Sequence, residues 1–454
     1  MTRKLFGTDG IRGVANEEPM TAEMSVRIGQ AIAAHFTERR RSTSAPHSAR
    51  ILIGKDTRLS GYMFESGLAA GITSMGVDVQ LVSVMPTPGI SFLTSGMRAD
   101  GGIVISASHN PFQDNGIKIF GPDGFKLPDE EELRIEAAIL SGNMRTARGG
   151  RIGRVARIED AAGRYIVFVK NTFPRDLTLD GLRVVLDCAN GAAYKVAPTA
   201  LRELGAEVFT LGVHPDGTNI NQECGSLYPG NAARRVHETR ADVGITLDGD
   251  ADRTILIDEN GETIDGDALM AMVALHLKRE GQLPNSAMVA TSMSNIGLEL
   301  ALKRKGIRLE RSAVGDRYVI EKMRQNAIMF GGEKSGHLIF LDHSPTGDGL
   351  LAALQVLAII KRSGKPLSEL SKVVTLFPQI LVNVPVSEKP PLDTLETFQS
   401  AVSQVEEKLG DEGRVVVRYS GTEAKARVMV EGPDAGEVDT LAHELAEVLQ
   451  KELT

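Results

Sequence analysis

The sequence predicts an α/β protein: three consecutive doubly wound α/β domains followed by a smaller α+β domain. Three observations carry that reading. Short apolar runs of strand length alternate with helical stretches, and the alternation restarts twice along the chain. From Leu376 the texture changes, with Pro378, Pro385, Pro390 and Pro391 punctuating a stretch of two strands and two helices. At 454 residues the chain is too long for one compact core, and roughly 150 residues per domain suggests about three, with four smaller ones permitted. The limits fall at 1–155, 156–257, 258–374 and 375–454.

Taken in order, Ala22 to Arg40 reads as a helix and Ile51-Leu52-Ile53 as a strand. The basic, Ser-rich run Arg39 to Pro46 between them reads as a solvated loop. A helix through Met63 to Met75, a strand at Val77 to Val84, a Pro86-Thr87-Pro88 turn and the strand Ile103-Val104-Ile105 complete the first alternation. Asn143 to Gly153, rich in Gly and Arg and without periodicity, closes it. The second unit opens with a helix at Ala161 to Asn171 and the strand Arg183 to Asp187. Asn190-Gly191 turns that strand into a helix from Ala192, and Glu207-Val208-Phe209 follows as a strand. The third holds the strand Met288-Val289-Ala290, helices near Ile296 to Lys305 and Tyr318 to Asn326, the strand Ile328-Met329-Phe330 and a helix from Gly349 to Arg362. In the last domain, strands at Arg414 to Arg418 and Arg427 to Val430 alternate with helices. The final helix carries Val438, Leu441, Leu445, Val448 and Leu449 at a 3–4 spacing that buries one stripe.

Composition excludes several classes of function. A net charge of −8 argues against a nucleic-acid or anionic-membrane partner, so an anionic substrate must be held by local cations. Only Cys188 and Cys224 are present and no CxxC occurs, which points to reduced thiols in the cytoplasm rather than to a disulfide framework or thiolate metal site. The start of the chain reaches Gly7 before an apolar segment of signal-peptide length can form. The longest apolar helical stretch, Ala268 to Leu277, has about half the length needed to span a membrane. Oligomeric state stays open, a homodimer included.

Four motifs carry chemistry. Ser106-Ala107-Ser108-His109-Asn110-Pro111 leaves the Ile103 strand as a nucleophile would at the mouth of an α/β sheet, although the same residues make ordinary turns. Asp114 to Phe120 then brings a second short strand with Lys118 within reach of a phosphate on that serine. Asp248-Gly249-Asp250-Ala251-Asp252-Arg253 follows the strand Val243 to Leu247 and places three carboxylates at alternate positions, suited to one hard divalent cation. An EF-hand also begins D-x-D-x-D, but its sixth position must be glycine and here is Arg253. Gly332-Glu333-Lys334-Ser335-Gly336-His337 pairs an acceptor with a donor suited to sugar hydroxyls, or is a polar turn. Arg418-Tyr419-Ser420-Gly421-Thr422-Glu423 offers a guanidinium fork, two hydroxyls and exposed backbone as an anion cradle, or is a surface turn. Thr346-Gly347-Asp348-Gly349 reads as a helix start, with Asp348 favoured by the dipole.

Together these motifs resemble the α-D-phosphohexomutase superfamily. SASHNPFQDNGIKIF is similar to its active-serine loop, and Leu5-Phe6-Gly7-Thr8-Asp9-Gly10-Ile11-Arg12-Gly13-Val14-Ala15-Asn16 is most similar to the branch acting on glucosamine phosphates. The resemblance implies that the first three units are structural repeats, that the domains surround a central active-site cleft, and that Ser108 is phosphorylated. It further implies that Asp248, Asp250 and Asp252 bind Mg²⁺ with a phosphoserine oxygen, and that Glu333 and Ser335 contact the sugar. His337 then lies near the reacting phosphate, and Arg418, Ser420, Gly421, Thr422 and Arg427 grip the phosphate that is not reacting. Lys55-Asp56-Thr57-Arg58 resembles a loop beside the serine, and Gly217-Thr218-Asn219-Ile220-Asn221 with Gly225-Ser226 resembles a branch signature. Lys334 stands where the branch usually has glutamine, Leu227-Tyr228 where it has threonine and histidine, and Ala424-Lys425-Ala426 replaces a Pro-containing continuation.

The activity so implied is interconversion of glucosamine-6-phosphate and glucosamine-1-phosphate, toward UDP-N-acetylglucosamine and cell-wall synthesis. Phosphoserine is the carrier, and a hexosamine 1,6-bisphosphate serves as intermediate and phosphorylating activator. Phosphoryl transfer of this kind needs positioning and cations, which Mg²⁺, Arg12, Lys118 and Arg253 would supply. His109, Lys118 or His337 could move the hydroxyl proton. A phosphomannomutase or phosphoglucomutase shares every catalytic motif and stays open, as does a metal-dependent sugar phosphatase, which has less use for a second phosphate cradle. No GxxxxGK[ST] loop is present for kinase chemistry.

Overall fold

The computed structural model describes residues 4–7, 9–42, 49–420 and 424–453. Four sheets follow one another along the chain. The first runs Phe6–Gly7, Gly10–Val14, Asp114–Phe120, Gly101–Ile105, Arg50–Lys55, Asp78–Val84 and Val155–Arg157. Its last four strands are parallel and its first three antiparallel. Side chains alternate between faces, which is why Ile51, Ile53, Ile103 and Ile105 meet the helices Ala22–Ser42, Gly61–Ser74 and Asp129–Ser141 while Leu52 and Val104 face the opposite core. Each such buried side chain stabilises by about 1.5–3 kcal/mol. A one-residue slip would exchange both faces at once, so the register is strongly fixed.

The second sheet has the order Thr263–Ile264, Thr254–Ile257, Val243–Leu247, Arg183–Asp187, Glu207–Leu211, and the third Arg308–Ser312, Ala287–Thr291, Phe330–Gly332, Leu338–Phe340. Both are mixed, with a parallel centre and an antiparallel edge. The fourth is wholly antiparallel, Gln379–Pro385, Lys425–Glu431, Arg414–Tyr419, and packs on the helices Glu396–Leu409 and Ala435–Glu452. Val155–Arg157 belongs to the first sheet and so crosses the expected limit at 155, and Thr263–Ile264 carries the second beyond 257.

The antiparallel strands have a functional consequence. In every sheet the chemistry-bearing loop joins a strand to its antiparallel neighbour: Ser108 lies between Gly101–Ile105 and Asp114–Phe120, and the three aspartates between Val243–Leu247 and Thr254–Ile257. Glu333 and His337 lie between Phe330–Gly332 and Leu338–Phe340, and Ser420 between Arg414–Tyr419 and Lys425–Glu431.

Several elements differ from expectation. Pro86-Thr87-Pro88 is the start of a helix, Thr87–Gly96, because proline in a first turn lacks only an N–H that has no intrahelical partner. The Thr87 N–H, also free there, donates to Asp250 O at 2.9 Å. The helix expected from Ala192 begins at Val196, since Ala189 and Asn190 are left-handed and the Ala192 N–H bonds to Gly249 O. Arg39 to Ser42 extend the first helix instead of forming a loop, and residues 43–46 of that expected loop lie outside the described residues. The strand placed at Ile328 to Phe330 is Phe330–Gly332, because the Ile328 N–H still bonds to Met323 O of the preceding helix. Strands Arg308–Ser312, Leu338–Phe340 and Gln379–Pro385 and the helix Gly230–Thr239 were not expected.

One apolar core runs through the first three domains, joining Leu52 and Phe120 to Leu186 and Leu247 and on to Phe340 and Leu351. The fourth domain has its own core around Phe398, Val428, Val438 and Leu445. Its junction with the third is polar: Asn295 exchanges bonds with Phe377 O and N, Arg414 Nη2 donates to Ser294 O at 2.7 Å, and Gln379 Nε2 to Met293 O at 3.1 Å.

Candidate active site

Ser108 occupies a left-handed backbone conformation, φ 52°, which costs a non-glycine residue about 1–3 kcal/mol and persists only when its surroundings over-determine it. They do. The Ser108 N–H donates to Ser106 Oγ at 2.9 Å, Ser106 Oγ to Asp56 Oδ2 at 2.6 Å, and Asp56 accepts from Arg58 Nε at 2.8 Å. The fully buried Arg58 guanidinium donates to the carbonyls of Ser108, Asn110, Pro111 and Asp114. The Lys55 to Arg58 loop is thus the support of the serine loop.

The Ser108 hydroxyl donates to Asp248 Oδ2 at 2.5 Å, across the boundary between the first and second domains. Asp248, Asp250 and Asp252 are buried and place one oxygen each within 4.8 Å of one another. Burial, with the charges of Asp252 and Asp250, pushes the Asp248 carboxyl well up. Burial alone would raise Asp252 too, yet Lys118, His337 and Arg253 hold it well below the usual range. Asp250 Oδ1 and Asp252 Oδ1 are buried without a hydrogen-bond partner, a costly arrangement for bare carboxylate oxygens. A hard divalent cation that takes oxygen donors removes that cost, and the donor set fits Mg²⁺. The loop joins two antiparallel strands, not two helices, which disposes of the EF-hand.

Lys118 Nζ lies 2.9 Å from Asp250, 3.1 Å from Asp9 and 3.6 Å from Asp252. Burial would lower its pKa, but these three carboxylates hold it above the ordinary amine value. Asp9 also pairs with Arg12 and Lys126. Lys126 reaches Asp316 at 2.6 Å, Asp316 stands 3.7 Å from His337 Nε2, and His337 Nδ1 stands 3.6 Å from Asp252. Asp9, Lys118, Asp252, His337, Asp316 and Lys126 therefore close a ring of alternating acids and bases drawn from three domains. Burial works against the His337 proton, but Asp252 and Asp316 raise its pKa above the ordinary 6.5. His109 behaves oppositely. Burial, with the Arg253 and Arg12 charges, pushes it down to about 4, and its Nδ1 faces Arg253 Nη1 at 3.1 Å.

Beside this ring opens a cleft of about 420 Å³, lined among others by Arg12, His109, Arg253, Asp316, Glu333 and His337. Glu333 Oε1 accepts from the Gly315 N–H at 3.1 Å. Ser335 lies exposed on the same turn. Lys334 points away: its Nζ donates to Gln379 Oε1 at 2.9 Å, at the fourth domain. There, Arg418 and Arg427 face each other across adjacent strands. Burial and the Arg427 charge lower the pKa of Arg418, which has no ion pair among the described residues. Ser420 is buried beside them, and Gly421 and Thr422 lie outside the described residues.

Sequence reasoning missed Asp9 as part of the site, together with Thr87, Lys126, Asp316 and Asn221, whose Nδ2 donates to the Ser108 and Asn110 carbonyls. Asp9 and Asn221 stood inside quoted motifs. Asp316 follows a glycine at φ 126° that opens a helix, the one local signal it gave.

Comparison with known proteins shows the family. The models of the phosphoglucomutase/phosphomannomutase family match residues 3–146 (alpha/beta/alpha domain I), 163–261 (domain II), 265–377 (domain III) and 381–448 (C-terminal domain). A curated phosphoglucosamine mutase of Myxococcus xanthus is 57% identical, covering 100% of this chain and 98% of its own length. That of Nitratidesulfovibrio vulgaris is also 57% identical, covering 100% of both. Among solved structures, a phosphoglucomutase/phosphomannomutase family protein from Burkholderia thailandensis superposes with a TM-score of 0.82 at 22% identity, covering 99% of this chain and 97% of that one. Aspergillus fumigatus N-acetylphosphoglucosamine mutase, in complex with GlcNAc-6P and magnesium, gives 0.68 at 18% identity, covering 100% and 96%. At these identities the structural likeness shows the fold.

Proposed function

Since the chain belongs to the phosphoglucomutase/phosphomannomutase family, we propose that it interconverts glucosamine-6-phosphate and glucosamine-1-phosphate as an intramolecular phosphotransferase. The observation that carries this reading is the Ser108 hydroxyl set against the aspartate triad beside a cleft lined by Asp252 and Glu333.

Phosphorylated Ser108 gives its phosphoryl group to a hydroxyl of the sugar monophosphate. The Oγ–P bond breaks, a sugar O–P bond forms, and the hydroxyl proton leaves. Lys118, held by three carboxylates, stays protonated and serves as a fixed cation. The proton passes to a histidine that lines the cleft: His109, whose Nδ1 lies 3.3 Å from Ser108 Oγ and 3.1 Å from Arg253 Nη1, or His337, set between Asp252 and Asp316. Arg12 and Arg253 offer positive charge to the transferring group. Mg²⁺, bound by Asp248, Asp250 and Asp252, would supply further charge stabilisation there. The bisphosphate then turns about, and its other phosphate returns to Ser108. Arg418, Ser420, Arg427 and the Gly421-Thr422 stretch would hold the phosphate that is not reacting, and Glu333 and Ser335 the sugar. A hexosamine 1,6-bisphosphate would restore any enzyme that has lost its phosphate.

The product leads toward UDP-N-acetylglucosamine and the cell wall, and two free thiols accord with a cytoplasmic setting. No helix among the described residues is long and apolar enough to cross a membrane. Comparing kcat/KM for glucosamine, glucose and mannose phosphates tests the reading. A wide preference for mannose or glucose phosphate would overturn the choice of sugar.

A further inference from the structure

Two carbonyl oxygens of the serine loop each receive the same two donors. Arg58 Nη2 donates to Ser108 O and to Asn110 O, both at 2.9 Å. Asn221 Nδ2 donates to the same pair, at 2.9 and 3.0 Å. Arg58 belongs to the first domain and is held there by Asp56, two residues before it. Asn221 arrives with the second domain, the one that carries the aspartate triad.

The segment bearing Asn221 is itself built into that boundary. The Asn221 N–H bonds to Ala189 O at 2.9 Å, and the Leu59 N–H to Gly217 O at 2.9 Å. Thr57 Oγ1 donates to Asn190 O at 2.6 Å. Gly249, between the first two aspartates, packs so tightly here that a Cβ would lie 2.5 Å from Ser108 O and 2.9 Å from Asn221 Nδ2. The triad loop, the serine loop and the Asn221 amide thus meet at one point.

We propose that Asn221 is a positioning residue for phosphoryl transfer: its amide sets the Ser108 loop in register with the aspartates of its own domain. Asn221 touches neither the sugar cleft nor the triad oxygens, so it acts only through the placement of Ser108. In-line transfer depends on placement to a fraction of an ångström. The inference rests on Ser108 being the phosphoryl carrier.

The test is rapid-quench transfer from phosphorylated full-length enzyme to glucosamine-1-phosphate, with the rate expressed per phosphoserine so that unfolded or unphosphorylated protein does not count. Asn221→Ala should transfer about 10- to 100-fold more slowly, while KM and the Mg²⁺ concentration for half activity stay within about twofold of wild type. Asn221→Asp keeps the size but turns an oxygen toward two carbonyl oxygens, and should be slower than the alanine variant. A wild-type rate per phosphoserine in Asn221→Ala overturns the inference. So does a failure of both variants to fold, which would make Asn221 a purely structural residue. If wild-type enzyme carries no phosphate on Ser108, the reading of the reaction falls first and this inference with it.

Discussion

The two loops for which we propose phosphate contacts are built on the same plan and held in opposite ways. Each is the bend between two antiparallel strands, yet the Ser108 loop is buried and fixed by Arg58, Asp56, Ser106 and Asn221. The Arg418 to Ser420 loop sits on a domain with its own core and a polar junction to its neighbour. Its two arginines oppose each other across half-buried strands. The difference suits the tasks proposed for them. Making and breaking a covalent bond requires one geometry, whereas gripping an anion that must be accepted in two orientations requires charge and room.

That contrast can be broken most severely at Ser108. Ser108→Ala should lower turnover by at least about 10³-fold while the protein stays folded, because the phosphoryl group has lost its covalent carrier. Mass spectrometry should find phosphate on Ser108 in the wild type, and an active alanine variant would remove the serine from the mechanism. Next, Asp250→Asn should cost about 100-fold or more, with weaker Mg²⁺ binding measured by calorimetry, since one hard anionic ligand becomes neutral. Chelation by EDTA should abolish activity and added Mg²⁺ restore it. Activity that survives chelation would give the three aspartates another role.

At the other loop the effect should be smaller and of another kind. Arg418→Ala removes a charge-assisted bond of about 1.5–3 kcal/mol, which appears as roughly a 10- to 100-fold rise in KM with the chemical step from phosphoserine little changed. A loss confined to the chemical step would erase the distinction between the two loops. The finest test lies between them, in the sugar turn. Glucosamine is cationic at C2, so Glu333→Gln should lower kcat/KM for it more than for glucose phosphate, by about 1–3 kcal/mol in selectivity. Lys334→Gln should leave that selectivity where it is, because Lys334 is turned toward Gln379 and away from the cleft.

What could be read in the sequence was whatever the chain presents contiguously. Ser108 and the three aspartates each lie in a short motif whose residue types dictate their chemistry, and both stand where expected, at the ends of apolar strands. The doubly wound α/β expectation left strand direction at the sheet edges open, since Asp114 to Phe120 and Thr254 to Ile257 look alike in either direction until paired. Pro86 and Pro88 misled because proline ends a strand and opens a helix with the same residue. Arg58, Asn221, Lys126 and Asp316 acquire their roles from partners far along the chain, and nothing in their immediate neighbours names those partners.

The ring of alternating charges has a consequence during synthesis. Lys126 and its partner Asp316 are 190 residues apart. At about 5–20 residues per second, a growing chain holds Lys126 for roughly 10–40 s before that partner has been made. Asp252 and His337 enter later than the serine loop for the same reason. A nascent chain thus carries the serine loop, with Arg12 and Lys118, well before Asp252 and His337 complete the ring, and the last link is closed only when the third domain has left the ribosome.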